Sequence, residues 1–201
     1  MKRDNNAEIN YRSNQNIKKE ADEILHQKGL FSLLQRYGAP HVTGSYDLDL
    51  MTWRDLDIYL QTDSISEENF FSLGGEITTL LHPAKMSFRN ERLAKTEGLP
   101  NGFYWGVYLG NERAGAWKID IWAVNKDECE QLLRYCRALK EQLTPESSLK
   151  ILEIKSQCWQ HPEYRRSFSS KDIYEAVLQN GVSDIDGFRD YIRQRNKSSE
   201  R

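Results

Sequence analysis

Two carboxylates separated by a single residue inside an apolar segment constrain this chain more than any other feature of its sequence. They are Asp55 and Asp57, in the run Asp-Leu-Asp-Ile, and nine residues separate them from the turn Gly44-Ser45. Successive side chains of a strand point to opposite faces, so the two acids share one face while their apolar neighbours pack on the other. Burying a carboxylate is costly, so these two acids need a chemical reason to be there.

A third acid stands alone in a later apolar run. Asp120 lies between Ile119 and Ile121, and Lys118 shares its face two residues earlier. If the two acid-bearing strands are neighbours, three carboxylates converge. Hard divalent cations bind carboxylate oxygens, and Mg²⁺ in particular keeps water and substrate phosphates as further ligands. The sequence therefore predicts a metal-dependent enzyme that acts on a phosphate.

This order of residues resembles the pattern of the nucleotidyltransferase superfamily, which includes DNA polymerase beta, the aminoglycoside and lincosamide nucleotidyltransferases and the CCA-adding enzymes. The pattern is a hydrophobic residue, Gly, Gly or Ser, a gap of about nine to thirteen residues, Asp-hydrophobic-Asp/Glu-hydrophobic and a later third acid. Thr43 is the departure, since it stands where the family has a more apolar residue. The resemblance covers roughly residues 16–125, and in style it is nearest to the small-molecule, antibiotic-type enzymes.

The resemblance implies roles for the three acids. Asp55 and Asp57 would bind two Mg²⁺ ions, and Asp120 would hold mainly the ion that activates the acceptor hydroxyl. Two such ions can stabilise both the attacking and the leaving oxygen of an in-line displacement. The three acids are therefore the candidate catalytic residues and the candidate metal ligands.

The resemblance also implies a binding site for a nucleoside triphosphate. In the family, the residues that correspond to Gly44 and Ser45 hold the triphosphate. Glycine has no Cβ, so its backbone can approach a phosphate closely. Lys118 could reach the phosphates or merely pair with Asp120. The expected donor is ATP, and the expected reaction moves a nucleoside monophosphate to a hydroxyl of a small-molecule acceptor and releases pyrophosphate.

The bulk properties restrict location and partners. The formal net charge of −2 lacks the basic excess of a protein that coats nucleic acid, so long nucleic acid is not the expected acceptor. No apolar run approaches the roughly 20 residues that span a bilayer. Residues 1–16 lack the apolar core of a signal peptide. We therefore expect a cytoplasmic protein with no membrane contact, whose partners are a nucleoside triphosphate and a small acceptor.

The pattern of apolar residues predicts an α+β fold, with a small mixed β-sheet nucleotidyltransferase domain, flanking helices and a helical C-terminal region. Residues 1–15 are polar and are predicted to be frayed or disordered. A nucleotidyltransferase-like α/β domain is predicted over 16–125, and a helical domain over 126–201.

Two alternatives remain open at this point. One is an enzyme that transfers AMP to a protein, as antitoxin-like members of the superfamily do. The other is a nucleotide-binding protein that keeps the fold without turnover, against which the presence of all three acids counts. Arg165-Arg166 could bind phosphate from the helical region, but the preferred interpretation is a solvated pair. Asp47 and Asp49 are interpreted as capping or loop residues.

Overall fold

The computed structural model describes residues 2–199, and one five-stranded mixed sheet organises the N-terminal two thirds of the chain. The strands are β1 (Ala39–Thr43), β2 (Asp55–Gln61), β3 (Lys85–Asn90), β4 (Gly102–Tyr108) and β5 (Lys118–Val124). Their order across the sheet is β1-β2-β5-β4-β3. The β2–β5 pair is parallel, and every other neighbouring pair is antiparallel.

Helices precede, connect and follow these strands. They are α1 (Lys2–Asp22), α2 (Leu30–Gln35), α3 (Gly44–Asp47), α4 (Glu67–Leu81), α5 (Glu91–Ala94), α6 (Lys126–Gln142), α7 (Pro145–Cys158), α8 (Ser170–Asn180) and α9 (Ile185–Ser199). A π-helical turn (Glu23–Gln27) joins α1 to α2, and a 3₁₀ turn (Glu112–Ala114) lies between β4 and β5. Within residues 2–199, no helix combines the length and the apolarity that crossing a membrane requires.

Helix α4 covers one face of the sheet, and the local sequence explains its position. The Ser66 side chain caps the helix by accepting a hydrogen bond from the Asn69 N–H. Inside the helix, the Phe70 ring stacks on Trp105 of β4 with ring centroids 5.8 Å apart. The Trp105 indole N–H also donates to the Phe70 carbonyl at 2.9 Å. Helix and sheet therefore bury one continuous apolar core, and the α+β prediction is confirmed.

A second core lies in the C-terminal helices. Ile151 and Ile154 of α7 pack with Ile173 of α8 and Phe188 of α9. Leu50, from the loop before β2, is fully buried in this same cluster. The loop that leads into the acid-bearing strand is therefore held by the helical region as well as by the sheet.

The N-terminal residues differ from the sequence expectation. Residues 2–15, expected to be frayed or disordered, belong to α1. Asn14 explains how a polar segment is held, because its buried side chain accepts a hydrogen bond from the Met51 N–H at 2.7 Å and donates to the Asp49 carbonyl at 3.0 Å. Polar contacts of this kind leave no apolar periodicity in a sequence, so the pattern predicted an ordered domain only from residue 16.

Two adjacent glycines of α4 allow a direct test of its packing. A Cβ on Gly74 would lie 2.7 Å from the Trp105 ring, whereas a Cβ on Gly75 would meet nothing within 4 Å. We expect Gly74→Ala to lower the free energy of unfolding by about 1–3 kcal/mol through overpacking. Gly75→Ala should raise it by up to about 1 kcal/mol because alanine favours the helix. Urea unfolding measures both, and equal effects would contradict this packing.

Candidate active site

The parallel pairing of β2 and β5 brings the predicted acids together. Asp57 lies directly opposite Asp120, and Asp55 lies opposite Lys118. Because side chains alternate along both strands, these four residues project from one face of the sheet. Three carboxylates and one ammonium thus lie on two adjacent strands, as expected if the motif forms one site.

Asp120 is held on both oxygens. Lys118 Nζ lies 2.5 Å from Asp120 Oδ2, and the Tyr104 hydroxyl donates to Oδ1 at 2.6 Å. Burial and the charges of Asp55 and Asp120 act on Lys118 in opposite directions, and the carboxylates prevail, so its pKa is raised. Burial, followed by the charge of Asp120, raises the pKa of Tyr104, which stays a protonated donor. Lys118 therefore pairs with the acids here.

The Tyr104 contact depends on a missing side chain. Gly106, two residues along β4, is the residue opposite Asp120. A Cβ at Gly106 would collide with the Tyr104 hydroxyl and lie 2.8 Å from Ser87 Oγ. The glycine leaves room for the phenol to lean along the strand and reach the carboxylate.

Asp57 sits against the Gly44 turn. Gly44 has φ +62°, and a Cβ on it would overlap Asp57 Oδ2. Only glycine combines this left-handed backbone with such a close approach at little steric cost. Ser45 follows, buried, at the start of α3. Burial first, and then repulsion from Asp55 and Asp120, raises the pKa of Asp57 to about 7.

Asp55 makes the contact that the sequence did not predict. Arg165 Nη2, from the loop between α7 and α8, lies 2.5 Å from Asp55 Oδ2. The Trp53 indole N–H donates to the same oxygen at 3.3 Å, and Lys118 Nζ lies 4.0 Å from Oδ1. Asp55 Oδ1 is buried and has no hydrogen-bond partner. The interpretation of Arg165 as half of a solvated pair was therefore wrong.

The residues present are chemically suited to a divalent cation. Three carboxylates of adjacent strands offer oxygen ligands, and the buried Asp55 Oδ1 is an acceptor without a donor. Among residues 2–199, no three His, Cys, Asp or Glu side chains are already arranged as a metal-binding group. Arg165 occupies Asp55 Oδ2 and Lys118 occupies Asp120 Oδ2, so a cation on these acids would displace Arg165 or share the carboxylates with Lys118.

A buried lysine of the helical region holds the loop that leads into β2. Lys155 of α7 is fully buried and donates to the Leu50 carbonyl at 2.6 Å and to the Tyr174 hydroxyl at 3.1 Å. Its ammonium lies 4.7 Å from the Trp53 ring centroid. Burial lowers the pKa of Lys155 to about 7, although the charges of Asp55 and Asp57 oppose the shift. Lys155 thus links the helical region to the loop before β2.

Two contributors to the site were missed from sequence. Arg165 is separated from Asp55 by 110 positions and lies in a loop without a motif. Tyr104 belongs to no motif, and its contact with Asp120 appears only when β4 is set in register against β5. By contrast, Asp49 is a loop residue bonded to Asn14 and Lys18, and Asp47 pairs with Lys140.

Comparisons with known proteins bear on the fold. No protein-family model and no curated protein matches the chain. A solved structure described as a cytoplasmic RNA terminal U-transferase is similar to it, with a TM-score of 0.55 and 15% sequence identity. The likeness covers 87% of this chain and 51% of that one, so the chain spans about half the length of this neighbour. The likeness shows a shared fold, which in this chain is a mixed sheet with flanking helices and a helical C-terminal region.

Replacing Gly44 tests the turn beside Asp57. Gly44→Ala should cost about 1–2 kcal/mol for the left-handed backbone and more for the overlap with the carboxylate. Gly115→Ala is the matched control, because Gly115 has φ +90° but the nearest atom to a Cβ there is Arg54 Nη1 at 3.8 Å. Unfolding in urea should show a clearly larger loss for Gly44→Ala, and equal losses would argue against the contact.

Lys155 predicts a pH dependence of stability. Its folded pKa of about 7 lies below the ordinary 10.5, so the buried ammonium costs stability below pH 7. That cost is relieved as pH rises from 7 toward 10.5. The free energy of unfolding of the wild type should therefore rise relative to Lys155→Met by up to about 1.4 kcal/mol per pH unit in this window.

The control for this series is Lys150→Met, since Lys150 pairs with Glu146 at the surface of the same helix. Chemical unfolding at pH 6, 7, 8 and 9 compares the three proteins. A constant difference between Lys155→Met and the wild type across this range would show that Lys155 keeps its proton in the fold.

Proposed function

We propose that this protein transfers a nucleoside monophosphate from a nucleoside triphosphate to an acceptor hydroxyl, with release of pyrophosphate. One observation carries the proposal: the β2–β5 register sets Asp57 beside Asp120, with Asp55 on the same face and Gly44 against the Asp57 carboxylate. Buried carboxylates that repel one another are costly to a fold, and such clusters are typical of functional sites. The nucleotidyltransferase-like fold supports the same reading.

In this proposal, Asp55, Asp57 and Asp120 hold Mg²⁺, with two ions expected. When bound, the metal supplies charge neutralisation for the phosphates and a polarised acceptor oxygen. The chain's own residues then have distinct tasks. Gly44 and Ser45 bind the triphosphate through backbone and hydroxyl groups. Lys118 and Tyr104 fix the orientation of Asp120 through the two bonds they already make.

The acceptor is proposed to be a small molecule. A cavity of about 80 Å³ lies beside Asp55, and its lining includes Trp53, Trp159, Tyr164 and Arg113. Aromatic side chains can pack against a ring of the acceptor, and the chain as a whole has no basic excess for a long polyanion. The neighbour's description names RNA as what that enzyme acts on, so an RNA end is the second candidate acceptor. ATP remains the expected donor.

The first test measures nucleotide binding through stability. A ligand that binds only the folded state should stabilise it by about 2.7 kcal/mol at a hundredfold excess over its Kd. We expect one of the four ribonucleoside triphosphates to raise the melting temperature when Mg²⁺ is present. Asp57→Asn should abolish that shift and turnover, while the unliganded variant stays folded because its repulsion with Asp55 and Asp120 is relieved.

The matched control is Asp49→Asn, which makes the same change of charge in the loop before β2. It should keep the nucleotide-induced shift, whatever its own stability. The donor found in this way can then be offered with small hydroxyl acceptors and with an RNA oligonucleotide in a pyrophosphate-release assay. A shift that survives in Asp57→Asn, or full turnover by that variant, would refute the assignment of the acids.

A further inference from the structure

Arg165 reaches the acid cluster from outside the sheet. Its guanidinium is 2.5 Å from Asp55 Oδ2 and 3.5 Å from Glu112 of the turn between β4 and β5. It is the C-terminal helical region that delivers this charge, since the loop that carries Arg165 runs from the end of α7 to the start of α8. One side chain therefore joins the helical region, the acidic strand β2 and the turn before β5.

The loop is anchored while the guanidinium stays accessible. Tyr164 is buried, packs edge-on against Trp53 with ring centroids 5.0 Å apart, and shares a hydrogen bond with Ser170. The Arg165 N–H donates to the Phe168 carbonyl at 2.7 Å. The Arg165 side chain is nevertheless 39% exposed, against 9% for Lys118. The backbone thus aims Arg165 at Asp55, and solvent leaves its side chain free to change partner.

The Arg165 guanidinium and a divalent cation compete for the carboxylate of Asp55. Arg165 lies on one oxygen of Asp55, and the other oxygen has no hydrogen-bond donor. A divalent cation on Asp55 would stand within a few ångströms of the guanidinium, where like charges repel strongly in a partly buried site. A nucleoside triphosphate brings phosphate oxygens, which pair well with a planar guanidinium. Metal binding therefore favours release of Arg165, and the arriving phosphates favour its capture.

We propose that Arg165 is an exchangeable counter-ion: it neutralises Asp55 before the metal binds and moves to the phosphates of the nucleoside triphosphate once the metal takes Asp55. This inference rests on the proposed function, because it assumes that Asp55 is a metal ligand and that the donor is a triphosphate. It goes beyond that function by assigning a phosphate-binding residue to the helical region. It also makes Arg165 a competitor of the metal when nucleotide is absent.

The test uses the full chain and three variants. Arg165→Ala removes the charge, and Arg165→Gln removes it while keeping a hydrogen-bond donor, so Gln carries the test if Ala does not fold. Arg166→Ala is the matched control, because Arg166 is the exposed neighbour with the same charge. Circular dichroism and thermal melts establish folding before any binding is measured.

Two titrations should respond in opposite directions. In the first, Mn²⁺ alone is titrated into the protein and free Mn²⁺ is followed by electron paramagnetic resonance. Removing Arg165 should tighten Mn²⁺ binding about tenfold, after allowing for solvent screening of the pair. In the second, the Mg²⁺ complex of the triphosphate that stabilises the wild type is titrated calorimetrically. Here the same variants should bind about tenfold more weakly, as expected for a lost guanidinium–phosphate pair.

Each other result rejects a defined part of the inference. Unchanged or weaker Mn²⁺ binding in the Arg165 variants, or an equal change in Arg166→Ala, overturns the competition. Tighter Mn²⁺ together with tighter nucleotide binding overturns the transfer to phosphate and leaves Arg165 as an inhibitory ion only. Tighter Mn²⁺ with no nucleotide binding in any protein rejects the triphosphate part and the proposed donor. No Mn²⁺ binding anywhere rejects the assignment of the metal as well.

Discussion

The parallel pairing of β2 with β5 is the constraint on which the rest of the site depends. It sets Asp57 beside Asp120 at neighbouring backbone positions and leaves Asp55 beside Lys118. Three acids on one face of two strands repel one another, and partial burial strengthens the repulsion because water screens it less. Three side chains offset this repulsion by donating hydrogen bonds to the acids. They are Lys118 of β5, Tyr104 of β4 and Arg165 of the helical region.

These supporting contacts explain features that otherwise look unrelated. Gly106 leaves room for the Tyr104 phenol, and Gly44 leaves room for the Asp57 carboxylate. Asn14 of α1 and Lys155 of α7 both bond to the loop before β2, at Met51 and at Leu50 respectively. An N-terminal helix and a C-terminal helix therefore both hold the loop that leads into β2, the strand that carries Asp55 and Asp57.

Much of this could be predicted from sequence, and the exceptions share a cause. Alternation and helical spacing predicted a mixed sheet with flanking helices and a helical C-terminal region, because burial of one face produces a periodic pattern in the sequence. The order of Gly44, Asp55 and Asp120 marked candidate site residues by resemblance, and their roles stay predictions. The start of α1 and the contacts of Arg165 produce no periodic pattern in the sequence. A polar contact made once, across 35 or 110 positions, has no period and no local motif.

The two cations beside the acids differ in a way that bears on how the site works. Lys118 belongs to the same strand as Asp120 and its side chain is almost fully buried, so few other positions are open to it. Arg165 belongs to a surface loop and retains solvent access. Rearrangement at Asp55 is therefore cheaper than at Asp120. A ligand that displaces Arg165 would break one contact between the helical region and β2, while the contacts of Tyr164 with Trp53 and of Lys155 with Leu50 would remain. The side chain of Arg165 can therefore change partner while the loop that carries it stays anchored.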